Sequence, residues 1–265
     1  MPVHDELGKR MKENYENRTK TYLMRRTPVA IRIDGRAFHT FTKGFQKPFD
    51  DILITSMQKT MLYLCKNIQG CVFGYTQSDE ITLILVDYAK LESDAWFDYN
   101  VQKLCSIAAS MATFAFNKTF EKNVDVFLDN YYESWNGSEE EEKYESTLYN
   151  AINKGAVFDA RCFNIPREEV ANLIYWRQLD AIRNSIQMVA QANFNQKELQ
   201  GLSCNQLKEK LLNEKNIDWN GLDIFKQRGT TAYQHKDWGW MLDYYMPIIK
   251  DCRNYIEKWI YTGEE

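Results

Sequence analysis

Ile31-Arg32-Ile33-Asp34-Gly35-Arg36-Ala37-Phe38-His39 and Tyr75-Thr76-Gln77-Ser78-Asp79-Glu80 are the two stretches that organise this chain. Val29 to Asp34 alternates: Val29, Ile31 and Ile33 fall on one side, and Ala30, Arg32 and Asp34 on the other. This period of two predicts a half-buried strand that ends in an acid, and Gly35 breaks it. Strand-like runs at 71–75 and 81–86 flank the second stretch, which places Ser78-Asp79-Glu80 at a hairpin tip. Asp34 and Asp79 are 45 residues apart in sequence, yet neighbouring antiparallel strands bring such positions within reach of one ion. With Glu80 they make three carboxylates, enough for two divalent cations of the kind that clamp the oxygens of an in-line displacement at phosphorus. Magnesium suits that donor set, because it prefers oxygen ligands and keeps some of its water.

Working outward, residues 5–25 read as an amphipathic helix anchored by Leu7, Met11, Tyr15 and Tyr22, with Pro28 ending it. Residues 50–66 and 101–120 carry helical apolar spacing, so the order over the first half is α-β-α-β-β-α. Residues 121–155, with Asn136-Gly137-Ser138 and an acidic run to Glu142, are expected to form a loop excursion with a solvated charged surface. A further strand is expected at 158–164. A helix over 167–193 follows, its start marked by Pro166, Glu168 and Glu169, and further helices are expected near 203–215 and 240–260. The fold class is therefore α+β: an antiparallel sheet with flanking helices and a mostly helical C-terminal region, in which an acid-ended strand beside an acid-tipped hairpin is the arrangement of a palm-type nucleotidyl-transfer site. The expected division is a catalytic palm over 1–135 and a C-terminal portion over 136–265 packed on it.

Composition narrows the classes. The chain has 265 residues, 44% apolar and 26% charged, as in a folded globular protein. No run approaches the 18 apolar residues of a membrane span, and the charged N-terminus lacks an apolar segment of the secretory kind. Six scattered cysteines without a CxxC pair, and only three histidines, argue against structural zinc and for a reducing, cytoplasmic setting. The net charge of −4 hides a basic arm: residues 9–26 hold seven Lys and Arg against two Glu. Binding to phosphate needs a basic patch rather than a basic protein.

Taken singly, an Asp-Gly after a strand is ordinarily a turn, and a Ser-Asp-Glu is ordinarily a solvated tip. Together, in this order of elements, they make a nucleotidyl-transfer site. The loop Gly35–His39 is placed to offer backbone N–H groups to a triphosphate, with Arg36, Lys43 and Lys47 as nearby cations. Lys103 and Ser106 on the small-residue helix are expected to face the same pocket.

Beyond these residues, Arg32-Ile-Asp-Gly-Arg-Ala-Phe-His39, Lys47-Pro48, Tyr75 to Glu80, Lys103 with Ser106, Phe158-Asp-Ala-Arg161 and Trp176-Arg-Gln-Leu-Asp180 occur in one order. In these motifs the chain resembles the tRNA-His guanylyltransferase family and its guanylyltransferase-like 3′–5′ polymerases, over residues 5–230. The resemblance implies addition of nucleotides to a tRNA 5′ end first activated as a triphosphate or by ATP. The 3′-hydroxyl of the incoming nucleotide displaces pyrophosphate or AMP. It implies two magnesium ions on Asp34, Asp79 and the Gly35 carbonyl, with Glu80 as a further catalytic carboxylate. It also implies a triphosphate held by Gly35, Arg36, Ala37, Phe38, His39, Lys47 and Ser78, with Arg32 and Lys103 helping to bind ATP, GTP or another nucleoside triphosphate. The larger family members are homotetramers that share tRNA across subunits, and Arg183, Asn184, Lys226 and Arg228 are the expected tRNA contacts here.

One departure stands out. Where family members specific for tRNA-His carry His-Ile-Asn-Asn, this chain has Ile182-Arg183-Asn184-Ser185. That favours templated repair of truncated tRNA 5′ ends, in which base pairing selects the nucleotide. The alternatives are a tRNA-His guanylyltransferase proper, a nucleotide cyclase acting without RNA, and a catalytically silent tRNA-binding module.

Overall fold

A computed structural model of the protein describes residues 6–132 and 138–261. Six antiparallel strands form one sheet in the order β4-β1-β3-β2-β5-β6. They are β1 (Val29–Gly35), β2 (Cys71–Gln77), β3 (Glu80–Leu85), β4 (Phe158–Asn164), β5 (Thr230–His235) and β6 (Gly239–Asp243). The helices among the described residues are α1 (Glu6–Asn14), α2 (Phe38–Phe41), α3 (Asp51–Asn67), α4 (Val101–Tyr132), α5 (Glu139–Lys154), α6 (Arg167–Asn193), α7 (Gln196–Leu199), α8 (Cys204–Lys215), α9 (Ile224–Arg228) and α10 (Asn254–Glu257). This is the expected α+β class.

Alternation along β1 divides the core. Val29, Ile31 and Ile33 join Ile81, Leu83 and Leu85 of β3 beneath α3 and α4, all nearly or wholly buried. Ala30 belongs to the other face, where Phe73, Tyr75 and Ile84 meet Val170, Ala171 and Ile174 of α6 together with Met246, Ile249 and Ile256. Arg32 and Asp34 share the parity of Ala30, so they project on the α6 side. A third cluster joins Ile186 and Val189 of α6 to Leu207 and Leu211 of α8 and to Trp219. Gln178, wholly buried on α6, ties the C-terminal segment down: its amide donates to the Pro247 carbonyl at 2.8 Å and accepts from Ile249 N–H at 3.0 Å.

Three sequence expectations are corrected. The N-terminal helix ends at Asn14, and Leu7, Met11, Tyr15 and Tyr22 are exposed rather than anchored. Beyond the helix the backbone pairs elsewhere: Leu23 N–H bonds Tyr99 O at 3.0 Å and Val101 N–H bonds Thr21 O at 2.9 Å. The expected loop at 121–155 is largely helical. In α4 the buried stripe Phe116, Phe120, Val124 and Leu128 keeps its four-residue step well past residue 120. The acidic run then opens α5 through a capping box between Ser138 and Glu141, its charge lying at the positive end of the helix dipole; Asn136-Gly137 lies outside the described residues. Finally, residues 240–260 are not one helix. Trp240 and Leu242 alternate with Met241 in β6, which pairs with β5, and only the short α10 follows. The expected boundary at 135 also lies outside the described residues, and the sheet takes β1–β3 from before it and β4–β6 from after it.

Candidate active site

The register of three strands assembles the acidic row. Asp34 of β1 stands opposite Glu80 of β3 on one side and Asp159 of β4 on the other. One step along the strand, on the same face, Arg32 stands opposite Thr82 and Arg161. Directly paired residues of antiparallel strands share a face, so three carboxylates line up with Asp34 in the middle. Asp79 joins them from the hairpin tip, where Gly35 N–H bonds the Asp79 carbonyl at 3.1 Å.

The loop after β1 is built rather than merely turned. A Cβ on Gly35 would lie 2.1 Å from the Phe38 ring, so only glycine lets that ring fold back beneath the strand end. Ala37 takes a left-handed conformation (φ 52°) and starts α2. Phe38 and Phe41 then pack on Phe116 of α4, with centroids 5.6 and 5.8 Å away. Arg36 N–H bonds the Val157 carbonyl at 2.8 Å. The amides of Gly35 and Arg36 are thus already used. Those of Phe38 and His39 begin α2, where a helix has no internal acceptor to give them. Phe38 contributes its backbone only, its ring being core; Arg36, His39 and Lys47 are exposed.

Electrostatics separates the carboxylates. The Asp34 carboxyl is raised above the usual aspartate range, first by burial and then by the charges of Glu80 and Asp159. Asp79 is raised as well, mainly by burial, with Asp34 and Glu80 adding to it and the Ser78 hydroxyl, 3.0 Å from Oδ1, opposing. Glu80 is different in kind: Arg32 pairs with one of its oxygens and Arg177 with the other, while Gln77 Nε2 donates at 2.9 Å. Arg177 is 6% exposed and also bonds Asp180 at 2.9 Å. Glu80 therefore fastens the hairpin to α6, and Asp34 and Asp79 are left without a salt-bridge partner among the described residues, although the charges of Arg161 and Arg32 partly offset the rise at Asp34. Among the described residues, no group of three or more Asp, Glu, His or Cys side chains is set to enclose a metal by itself.

Beside the hairpin a cleft opens between α3, α6 and α9. Phe49, Leu53, Ile54 and Met57 form an apolar wall, and Asp50, Gln77, Ser78, Asn184 and Lys226 supply polar groups. Asp50 is held still by three bonds, from Leu53 N–H at 3.0 Å, Gln46 N–H at 3.2 Å and the Tyr144 hydroxyl at 2.7 Å.

Lys103 and Ser106 are exposed on α4, which packs on the opposite face of the sheet; the Lys103 ammonium lies 5.4 Å from the Phe97 ring centroid. They are not gathered with the acidic row. Of the expected tRNA contacts, Arg183 is exposed and paired with Asp180, and Asn184 and Lys226 line the cleft, Lys226 bonding Asp51 at 2.9 Å. Arg228 turns inward to the Met246 carbonyl at 3.1 Å. Sequence reading gave no role to Asp159, Arg161, Asp50 or Arg177. The Phe158–Arg161 motif is visible in the sequence, but its place in the site follows from register with β1, which a sequence does not print.

Residues 8–166 match the profile of the family described as tRNAHis guanylyltransferase. The chain belongs to the tRNAHis guanylyltransferase family. Family members are nucleotidyltransferases, and the acidic row falls within the matched residues. A solved bacterial tRNA(His) guanylyltransferase-like protein in complex with ATP is 40% identical, with a TM-score of 0.82 over 97% of this chain and 100% of that one. One in complex with GTP is 36% identical with a TM-score of 0.78 over the same shares. A probable tRNA(His) guanylyltransferase of Dictyostelium discoideum is 26% identical over 80% of this chain and 77% of its own length.

Proposed function

We propose that this family member is a template-dependent 3′–5′ nucleotidyltransferase that adds nucleotides to truncated tRNA 5′ ends. The observation that carries this reading is the pair Asp34 and Asp79, neither in a salt bridge among the described residues, beside an apolar-walled cleft, in a chain whose Ile182 replaces the histidine of the tRNA-His motif. Ile182 packs into the α6–α8 cluster, and Ser185 Oγ accepts a bond from the Trp219 indole at 3.0 Å in the interior. These positions serve the fold here, so nucleotide choice falls to pairing with the opposite RNA strand.

The donor set fits magnesium. Two crowded, partly desolvated carboxylates favour a cation, and the lack of a full protein cage among the described residues suits an ion that shares its ligands with triphosphate and water. Asp34, Asp79 and the Gly35 carbonyl would hold two such ions, which when bound would polarise the phosphates and lower the charge between attacking and leaving oxygens. The chain itself performs the rest. Ser78, Lys47 and the amides at the start of α2 bind phosphate oxygens, and the apolar wall of the cleft takes the base of ATP, GTP or another triphosphate. Glu80, fixed by Arg32 and Arg177, keeps the hairpin tip and Asp79 in place. Arg183, Asn184 and Lys226 belong to the tRNA side, whereas Lys103 and Ser106, on the opposite face of the sheet, and Arg228, turned inward to the Met246 carbonyl, take no part in this arrangement. On this reading the residues before 135 do the chemistry, those after 136 contact tRNA, and a homotetramer works in the cytoplasm.

The test is nucleotide addition to a 5′-triphosphorylated tRNA lacking its first nucleotide, with magnesium and each nucleoside triphosphate in turn. Incorporation only of the complementary nucleotide is expected. Addition of G whatever the opposing base establishes tRNA-His guanylylation instead, the reaction for which the family is named.

A further inference from the structure

Tryptophan is ordinarily well covered in a folded chain, and a half-open one beside a reaction site calls for an explanation. Trp176 is 52% exposed on α6, although Ile174, Arg177 and Gln178 around it are buried. Its ring is nonetheless held. The Arg32 guanidinium carbon lies 5.2 Å from the ring centroid and that of Arg177 lies 4.5 Å away. Both guanidiniums are paired with Glu80, the residue after Asp79. Arg32 precedes Asp34 by two residues on the same face of β1, about 6.6 Å along the strand. An aromatic side chain half open to solvent, with two guanidiniums against its ring, thus stands within about one nucleotide of the acidic row.

We infer that Trp176 is a stacking platform for the terminal base pair of the RNA whose 5′ end is extended. The choice of RNA rests on the proposed function; the geometry supplies the rest. The cleft proposed for the mononucleotide is a separate one, whose lining does not include Trp176. A small ligand on an open ring would gain contact on one face only, whereas the last pair of a helix has one face uncovered and the other already stacked. Exposed cations flank the platform for the backbone: Arg161 on the edge strand β4, opposite Arg32, and Arg183 two helical turns beyond Trp176 on α6, with side chains 57% and 60% exposed. Stacking is indifferent to sequence, as repair of different tRNAs requires. The guanidinium contacts pre-order the ring, so little freedom is lost on binding.

The experiment measures binding of a 5′-truncated tRNA and, separately, of ATP to the full chain carrying Trp176→Ala, Trp176→Leu or Trp176→Phe. Loss of one base–aromatic stack weakens tRNA binding about tenfold in the Ala and Leu variants. Phe restores most of it, ATP binding is unchanged, and the slope of log affinity against log salt stays as in the wild type, since no phosphate contact is removed. Leu keeps apolar bulk without a π face and so guards against a variant that merely fails to fold. A photoreactive 4-thiouridine as the 5′-terminal nucleotide crosslinks to the peptide bearing Trp176. The inference falls if Trp176→Leu binds tRNA within about twofold of the wild type, if it binds as well as Trp176→Phe, or if ATP binding is what suffers. Nucleotide addition by the wild type to the same tRNA is scored alongside: its absence overturns the proposed function, while the binding series still decides the role of Trp176.

Discussion

Asp34 and Asp79 carry opposite demands, since folding resists their charge and the proposed chemistry requires it. Burial is the first cause that raises both carboxyls, and their neighbours' negative charges add to it. A carboxyl whose folded-state value lies above its unfolded one stabilises the fold below the unfolded value, and that contribution is lost as pH rises through the folded one. Without divalent cation, Asp79→Asn therefore melts above the wild type at neutral pH, and its advantage vanishes as pH falls below about 4, where the unfolded aspartate also protonates. Thermal melts across pH check this; an advantage that grows on acidification refutes the sign. The same substitution, or Asp34→Asn, lowers nucleotide addition by roughly a hundredfold or more, as expected when a residue that positions catalytic metal is lost. Glu80 answers to another rule. Its removal leaves the buried Arg177 with Asp180 alone, so Glu80→Ala costs about 3 kcal/mol of stability in urea unfolding, in the range for breaking a buried ion pair. Glu80→Gln, which keeps two hydrogen-bonding groups, costs less.

At the level of elements, the site is an agreement between β1, the β2–β3 hairpin, β4 and α6. The loop leaving β1 is fastened at Asp79 O and Val157 O and by the Phe38 and Phe41 rings under α4. Gly35 is the hinge of that arrangement. Gly35→Ala drives a methyl to within 2.1 Å of the Phe38 ring, which must leave its slot. We expect about 1–3 kcal/mol of destabilisation, as for other overpacked sites, and weaker triphosphate binding from the displaced α2 amides. Chemical denaturation and nucleotide titration read the two effects separately; an alanine variant that is both as stable and as tight would show that the ring has room to yield.

At the scale of the molecule, charge is unevenly placed. The chain carries a net charge of −4, yet residues 9–26 carry seven basic side chains, and α1 has no buried residue. If this arm lies on tRNA, replacing Lys9, Arg10 and Lys12 together with alanine lowers the slope of log affinity against log salt by about 2–3, near one per lost phosphate contact. An unchanged slope assigns the arm elsewhere. No helix among the described residues is long and apolar enough to cross a membrane.

Sequence by itself determined what depends on neighbours along the chain. The period of two in Val29–Asp34, the Asp-Gly break, the hairpin around Ser78-Asp79-Glu80, α3 and the full span of α6 all follow from local pattern and punctuation. The longer reach of α4 is also written there, in a four-residue apolar step through Val124 and Leu128 that a reading stopped at 120 overlooks. Tertiary structure decided what depends on register and on competition. Tyr22 and Leu23 leave the first helix because backbone partners near residues 99–101 are available, and Trp240 and Leu242 form a strand because β5 offers an open edge. Asp159 enters the acidic row only because β4 pairs with β1 in one register; a shift by one residue would turn it to the opposite face. The same distance effect separates Glu80 from Asp79. They are adjacent in sequence and chemically alike, but Arg177, 97 residues away, neutralises one and not the other.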